Sequence, residues 1–257
     1  MGKSGFNLKK LTSGNFQALT HPFSIFCIGD SALTIDLGNS IGESLNRKVL
    51  AMQSWLQQHP FEGMVDIVPA YSSLTVLYDP ATVRRKYQPA GTVSGWVGQQ
   101  LETAFHSSGD ALSGSGALVE IPVCYDPETG MDLVAMARHK KLSVEEVIHL
   151  HTSVSYRVYM IGFLPGFPYL AEVAPVLATP RKARPVSVLP GSVGIAGSQT
   201  GIYPQASPGG WHIIGRTPVK LFDPAAQGIV RLKAGDTVRF YAIGLAEFKE
   251  REMWGVW

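Results

Sequence analysis

The chain has 257 residues, of which 45% are hydrophobic and 16% are charged, and its formal net charge is +2. This composition can fill a large core, so disorder of the whole chain is excluded, and the small net charge gives no reason to expect a nucleic-acid partner. The two cysteines, Cys27 and Cys124, form no CxxC pair. We therefore expect neither a disulfide framework nor a cysteine metal site, and a reducing, cytoplasmic setting fits best.

The N-terminal segment carries no targeting signal that we recognise. Residues 1–22 contain lysines but no continuous apolar stretch before a small-residue cleavage site, so they do not resemble a secretory signal. The sequence also lacks a run of about 18 to 20 apolar residues, the length that a membrane-spanning helix needs. We predict that residues 1–22 are a flexible extension and that the protein has no membrane partner.

The next segment predicts a small α+β domain over residues 23–106, with the element order ββαββα. Two β-rich runs flank the turn-forming pair Gly29-Asp30, and two more follow in GMVDIVPAYSSLTVLYDP. Between the two pairs, apolar residues recur at steps of three and four, which predicts a helix, and Ser40 with Glu43 forms a candidate capping box at its start. The residues of this apolar face are Ile41, Leu45, Val49, Met52 and Leu56. The segment GTVSGWVGQQLETAF predicts the second helix.

Residues 107–117 are rich in serine and glycine and predict a linker. After the linker, residues 118–246 predict a mainly-β domain, and residues 247–257 a C-terminal tail. This domain begins with a strand in LVEIPVCYD and two helices, MDLVAMARHK and SVEEVIHLHT, the second capped by Ser143 with Glu146. A helix-turn-helix that binds DNA is not favoured, because Glu145 and Glu146 would meet phosphates at the start of the second helix.

The rest of the domain consists of apolar, β-branched segments that glycine and proline interrupt every several residues, a pattern typical of a barrel or sandwich. The predicted strand segments are SYRVYMIGFL, VSVLPGSVGIA, WHIIGR, PVKLFDP and GIVRLKAGDTVRFYAI.

One uncharged stretch, GSVGIAGSQTGIYPQASPGGW, contains six glycines within residues 191–211. It contains no lysine, so it is not a phosphate-binding P-loop, and its prolines disfavour the helix that a dinucleotide-binding motif needs. No GxSxG nucleophile elbow is present either. Two interpretations stay open at this point: the glycines turn corners in a β-structure, or they let a ligand reach the main chain.

Two further segments offer groups for a ligand. The loop in YMIGFLPGFPYL is stiff, aromatic and uncharged, and ATPRKARP holds three cations among prolines. Guanidinium groups match planar oxyanions, so these cations could hold a carboxylate or phosphate, although a solvated loop would look the same. His149 and His151 would point about 200° apart on a helix, which disfavours joint metal binding. An uncharged polar pocket would suit an amide or lactam better than a polyanion.

Several of these segments together resemble the 5-oxoprolinase B-subunit family, also called the KipI or allophanate hydrolase subunit 1 family. The segments are YRVYMIGFLPGFPYL, ATPRKARP, GSVGIAGSQTGIYPQASPGGWHIIGRTP and LFDP. The resemblance implies a cyclophilin-like β-barrel after the α+β domain. It also implies an ATP-dependent enzyme that opens the 5-oxoproline lactam to glutamate, in which this chain works with partner proteins of the A and C types. ATP would be a co-substrate of the complex without a site assignable on this chain, and no metal is predicted on it.

The family's motif residues can be carried over to matching positions of this sequence. The candidate catalytic residues are His151, Gln199 and Tyr203. The candidate substrate-binding residues are Phe163, Pro165, Gly166, Phe167, Arg181, Lys182, Arg184, Gly197, Thr200, Gly201 and Ser207. We expect Gln199 and the backbone amides of residues 197–201 to orient the substrate, the cations to counter an anionic group, and His151 to act as an acid or base.

Two alternatives of other classes remain. Some members of the family inhibit a sporulation histidine kinase, which would make the chain a binding module. Others serve in a carboxyltransferase-type role with urea carboxylase or allophanate hydrolase, but these 257 residues include no biotin carrier or carboxylase domain.

Overall fold

A computed structural model of the chain describes residues 22–109, 116–223 and 231–254. The strands are β1 (Ser24–Cys27), β2 (Ala32–Asp36), β3 (Met64–Pro69), β4 (Ser73–Tyr78), β5 (Leu118–Cys124), β6 (Ser155–Ile161), β7 (Pro168–Ala171), β8 (Val186–Val188), β9 (Ser192–Ala196), β10 (Gln199–Ile202), β11 (Ser207–Gly209), β12 (His212–Arg216) and β13 (Thr237–Ile243). The helices are α1 (Glu43–Gln58), α2 (Pro80–Tyr87), α3 (Val93–Ser107), α4 (Leu133–Lys140), α5 (Val144–Thr152) and α6 (Leu245–Trp254). The predicted extension lies outside the described residues except for residue 22, as does most of the predicted linker.

Strands β1–β4 and helices α1–α3 form the N-terminal unit. Its antiparallel sheet has the order β1-β2-β4-β3, and one face packs against α1 and α3 around a buried core. The core residues alternate along the strands, as in Leu74, Val76 and Tyr78 of β4, because successive side chains of a strand point to opposite faces. The predicted order ββαββα lacks α2, which begins after Asp79 with proline at its first position.

The start of α1 differs from the prediction. The N-cap residue is Gly42 and makes no side-chain capping bond, so the capping box of Ser40 with Glu43 is wrong. Glu43 instead lies in the first turn and accepts from Arg47 Nη2 at 2.5 Å. A carboxylate in the first turn still stabilises the helix, because it lies at the positive end of the helix dipole.

The second half of the chain forms a closed barrel with the strand order β10-β7-β6-β13-β5-β12-β9. Strands β13 and β5 pair in parallel over their whole length, and the other neighbouring pairs are antiparallel. The interior is filled by branched and aromatic side chains, and the same core includes Leu133 and Val147 of α4 and α5. The predicted capping box of α5, with Ser143 and Glu146, is confirmed in both directions.

Two predicted elements of this half differ from the structure. The described residues of PVKLFDP belong to no strand, although Leu221 of this segment is buried in the barrel core. Residues 247–254, expected as a tail, belong to α6, which packs on the barrel through buried Phe248 and an ion pair between Arg216 and Glu252 at 2.7 Å. No helix of the described residues is long and apolar enough to cross a membrane.

The N-terminal unit is joined to the barrel by a buried asparagine. Asn46 of α1 has no exposed surface, and its Nδ2 donates to Tyr159 O of β6 at 2.9 Å. The same nitrogen lies 3.3 Å from Ala70 O and 3.5 Å from Tyr71 O in the turn between β3 and β4. Asn46 Oδ1 accepts from Arg157 Nε at 3.1 Å. One side chain therefore fixes the β3–β4 turn against a barrel strand.

Candidate functional site

Strand β10 separates the candidate residues into two groups. Thr200 points into the barrel, where its Oγ1 lies 2.9 Å from His151 Nε2. Gly201 lies on the outer face, since a Cβ built there would be 3.0 Å from the Phe167 ring and 3.0 Å from the Trp211 ring. Side chains alternate along a strand, so Gln199 shares the outer face with Gly201.

The outer face carries a cluster of aromatic rings centred on Phe167, which is 1% exposed. The centroid of Phe167 lies 5.1 Å from that of Tyr203, 4.9 Å from that of Tyr169 and 5.4 Å from that of Trp211. The contacts to Tyr203 and Trp211 are edge-to-face, the geometry that aromatic quadrupoles favour. The two-stranded ribbon of β8 and β11 adds Val188 to this cluster. We call this set of residues the outer aromatic cluster.

Phe163 stands at the rim of the outer aromatic cluster. Its side chain is 58% exposed and contacts Phe167 edge-on at 5.5 Å. Its φ is 66°, a left-handed conformation that is unfavourable for an aromatic residue. An exposed ring held in a strained backbone conformation is a feature that ligand-binding loops often show. Pro165 of the same loop is exposed, and Gly166 is buried.

Several glycines of residues 191–211 lie where a side chain would clash with neighbouring atoms. A Cβ at Gly201 would lie 2.8 Å from Pro168 O, and one at Gly209 would lie 2.6 Å from Tyr203 Oη. Strand β10 pairs with β7 on one side and with β9 on the other, and the amide of Gly197 donates to Thr179 O. The Gly197 amide and the ladder amides of β10 are therefore engaged by the barrel itself, which favours the first of the two interpretations for the glycines.

His151 lies inside the barrel in a chain of hydrogen bonds. Thr200 Oγ1 donates to Gly194 O at 3.1 Å, so it accepts from His151 Nε2, and His151 Nδ1 accepts from Tyr125 Oη at 2.7 Å. The ring also stacks on Phe240 with centroids 4.7 Å apart. Complete burial lowers the pKa of His151 to about 3. The imidazole is therefore neutral, with its proton on Nε2, and it has no exposed surface.

The three candidate cations have different surroundings. Lys182 Nζ pairs with Asp132 Oδ2 at 2.7 Å, and that oxygen also accepts from Ile213 N at 2.7 Å, so Lys182 is tied into the barrel. Arg181 and Arg184 are exposed. Arg181 lies near the outer aromatic cluster: burial raises the pKa of both Tyr169 and Tyr203, and the Arg181 guanidinium opposes both shifts.

Ser207 of β11 has a buried Oγ without a hydrogen-bond partner among the described residues. Such an atom is costly to bury alone and is a natural contact for a ligand or a bound water. Among the residues that the structure describes, no three side chains of histidine, cysteine or acid are grouped so that they could hold a metal ion.

Sequence reasoning missed Tyr71, which comes from the N-terminal unit. Its ring centroid lies 5.5 Å from that of Tyr159 and 6.0 Å from that of Tyr169, so it extends the outer aromatic cluster. Burial is the main cause that raises the pKa of its hydroxyl, and the neighbouring Gln199 side chain opposes the shift. Nothing near position 71 in the sequence indicates this, because the residues that surround it lie far along the chain.

The chain matches the model of the carboxyltransferase domain, subdomain C and D, over residues 23–232. It is 42% identical over 233 residues to the B subunit of 5-oxoprolinase from Bacillus subtilis, covering 90% of this chain and 97% of that protein. It is 37% identical over 216 residues to the protein of the same name from Escherichia coli O157:H7, covering 84% of this chain and 94% of that protein.

Two solved structures share the fold. The crystal structure of TTHA0988 superposes with a TM-score of 0.71 at 39% identity and covers 82% of this chain, which spans 40% of that longer chain. The urea amidolyase of Kluyveromyces lactis gives a TM-score of 0.72 at 16% identity, covering 90% of this chain and 15% of that chain, which is a likeness of fold alone. The resemblance seen in the sequence motifs is confirmed, and the chain belongs to the 5-oxoprolinase B-subunit family of carboxyltransferase-domain proteins.

Proposed function

We propose that this chain is the B subunit of an ATP-dependent 5-oxoprolinase, which opens the lactam of 5-oxoproline to glutamate together with partner proteins of the A and C types. The observation that carries the proposal is the 42% identity to a 5-oxoprolinase B subunit over 97% of that protein's length. Within this proposal the complex works in the cytoplasm, where ATP is available, and the ATP site is not assigned to this chain.

The chemistry requires activation of a resonance-stabilised amide. Transfer of the terminal phosphate of ATP to the lactam oxygen would turn that oxygen into part of a leaving group. Water would then add to the ring carbon, and the C–N bond would break with a proton passing to the amine nitrogen, which leaves an acyl phosphate of glutamate. A second water would hydrolyse this acyl phosphate and release inorganic phosphate and glutamate. A site for this substrate has to recognise a cyclic amide and one carboxylate while holding the ring against apolar walls.

The outer aromatic cluster fits these needs. Gln199 presents a carboxamide whose donor and acceptor complement those of a lactam, and Arg181 supplies a cation for the substrate carboxylate. The exposed ring of Phe163 and the half-buried ring of Tyr169 would pack on the methylene groups of the substrate ring. The buried rings of Phe167 and Trp211 support them by direct contact. Lys182 is excluded from direct contact in this proposal because Asp132 already neutralises it.

His151 has a positioning role in this proposal. Its ring has no exposed surface and is neutral, so it does not exchange a proton with a substrate on the outer face. It holds Thr200, and through Thr200 it fixes the strand that carries Gln199 and leads to Tyr203. Removing it would therefore disturb the site through the position of β10.

The test is ATP-dependent release of glutamate from 5-oxoproline by this chain combined with candidate partners of the A and C types. We expect turnover with all three proteins and none when this chain is omitted. Gln199→Ala should lower turnover at low 5-oxoproline while the complex still assembles, and Gln57→Ala, an exposed position on α1, is the control. Turnover that persists without this chain would disprove the proposal.

A further inference from the structure

We propose that Tyr71 is a substrate-binding residue, which donates a hydrogen bond from its hydroxyl to the carbonyl oxygen of the cyclic amide while Gln199 pairs with the amide N–H. This inference rests on the proposed function. It makes the substrate site a joint structure, with one wall from the barrel and one contact from the N-terminal unit.

The first support is the state of the Tyr71 hydroxyl. Its oxygen is shielded from solvent, and no described residue meets it in hydrogen-bonding geometry. The Gln199 side chain is close enough to lower the pKa of the hydroxyl as a hydrogen bond would, but the two groups do not meet in hydrogen-bonding geometry. A buried hydroxyl without a partner is costly, and in native structures it calls for an explanation such as a ligand contact.

The second support is that the hydroxyl is not needed to hold Tyr71 in place. The turn that carries it is fixed through its backbone, because Asn46 Nδ2 lies within 3.3 Å of Ala70 O and 3.5 Å of Tyr71 O. The ring is fixed by packing against Tyr159 and Tyr169. A phenylalanine would keep all of these contacts, so packing alone does not require the hydroxyl.

The third support is the position of Tyr71 relative to the outer aromatic cluster. Tyr169 contacts Tyr71 on one side and lies 4.9 Å from Phe167 and 6.0 Å from Trp211, measured between ring centroids. The Tyr71 ring therefore lies at the edge of the outer aromatic cluster, and its hydroxyl interacts with the side chain of Gln199. This places a polar group of the N-terminal unit beside the site on the barrel.

The substrate's own geometry fits two adjacent polar side chains. A five-membered lactam is a cis amide, so its N–H and C=O point to the same side of the ring. Gln199 Oε1 can accept from the N–H while the Tyr71 O–H donates to the carbonyl. Gln199 is half-buried and interacts with the Tyr71 hydroxyl, so in this proposal the substrate takes the place of that interaction with its own N–H and C=O.

The experiment compares Tyr71→Phe with the wild type in the reconstituted complex, with KM measured separately for 5-oxoproline and for ATP. Loss of one hydrogen bond to the substrate predicts a rise of about tenfold in KM for 5-oxoproline and no change in KM for ATP. Thermal unfolding of Tyr71→Phe should occur at the same temperature as the wild type or higher, because a buried hydroxyl without a partner is removed.

The matched control is Tyr87→Phe in α2. The Tyr87 hydroxyl accepts from Glu62 N at 2.8 Å and its ring stacks on Trp96, away from the outer aromatic cluster. This variant should lower the unfolding temperature and leave both KM values unchanged. If the complex is active and Tyr71→Phe leaves KM for 5-oxoproline unchanged, this inference is overturned while the proposed function stands. A correctly assembled wild-type complex that releases no glutamate overturns both.

Discussion

Asn46 should be the most sensitive single position at the junction between the N-terminal unit and the barrel. Asn46→Ala removes the amide group that donates to Tyr159 O at 2.9 Å and to the β3–β4 turn. It also removes the oxygen that accepts from Arg157 Nε at 3.1 Å. The amide has two hydrogens, so these contacts amount to about three hydrogen bonds, each with a net value of about 1 kcal/mol. We expect a loss of about 3 kcal/mol in the free energy of unfolding.

The assay for Asn46→Ala is urea unfolding followed by tryptophan fluorescence, with Gln57→Ala on the exposed side of the same helix as the control. The free energy of unfolding of this control should stay within about 0.5 kcal/mol of the wild-type value. The variant should also raise KM for 5-oxoproline, because the turn that carries Tyr71 loses its attachment. A loss below about 1 kcal/mol in Asn46→Ala would refute the argument that these contacts hold the two parts together.

Three further predictions follow from the barrel and its outer face. Because the pKa of His151 is lowered to about 3, the unfolded chain takes up a proton below its ordinary pKa of 6.5 and the folded one does not, so stability falls as pH drops from about 6.5 towards 3. His151→Gln should remove about 2 kcal/mol of the stability change between pH 7 and pH 5, and an unchanged pH profile would contradict this. Gly201→Ala should lower the free energy of unfolding by about 2 kcal/mol, because the new Cβ would lie 2.8 Å from Pro168 O. Gly244→Ala is the control, since a Cβ there would have nothing within 4 Å and the free energy of unfolding should not change. Equal losses in thermal unfolding of the two variants would contradict the clash. Arg181→Ala should raise KM for 5-oxoproline severalfold without loss of stability. Arg184→Ala should change neither KM nor stability. An equal rise of KM in the two variants would exclude a specific role for Arg181.

Local signals in the sequence were sufficient where local contacts decide the structure. The capping box of Ser143 with Glu146 marks the start of α5, and the turn pair Gly29-Asp30 lies between β1 and β2. The same kind of signal failed at Ser40, because the N-cap of α1 is Gly42, two residues after the predicted cap, and Glu43 binds Arg47 instead. Helix α2 was missed because Asp79-Pro80 suits the end of a strand as well as the start of a helix.

The candidate site was predictable only in part, because barrel closure decides which side chains meet. The alternation of a strand puts Gln199 and Gly201 on one face and Thr200 on the other, and that much follows from sequence once β10 is recognised. Which face lies inside the barrel depends on pairing with β7 and β9. Tyr71 approaches Tyr169 only after two separate parts of the chain have folded and docked.

The two faces of β10 explain why the family motif spans residues with such different surroundings. On the inner face, Thr200 is held by a neutral histidine and by Gly194 O, so the strand cannot shift without breaking buried hydrogen bonds. On the outer face, Gly201 lets the Phe167 and Trp211 rings approach the backbone, and this close approach shapes the wall beside Gln199. Substitutions on the inner face should therefore act first on stability and raise KM only as a consequence. Substitutions at Gln199 should raise KM while the barrel stays folded, and this difference separates positioning residues from substrate-binding ones.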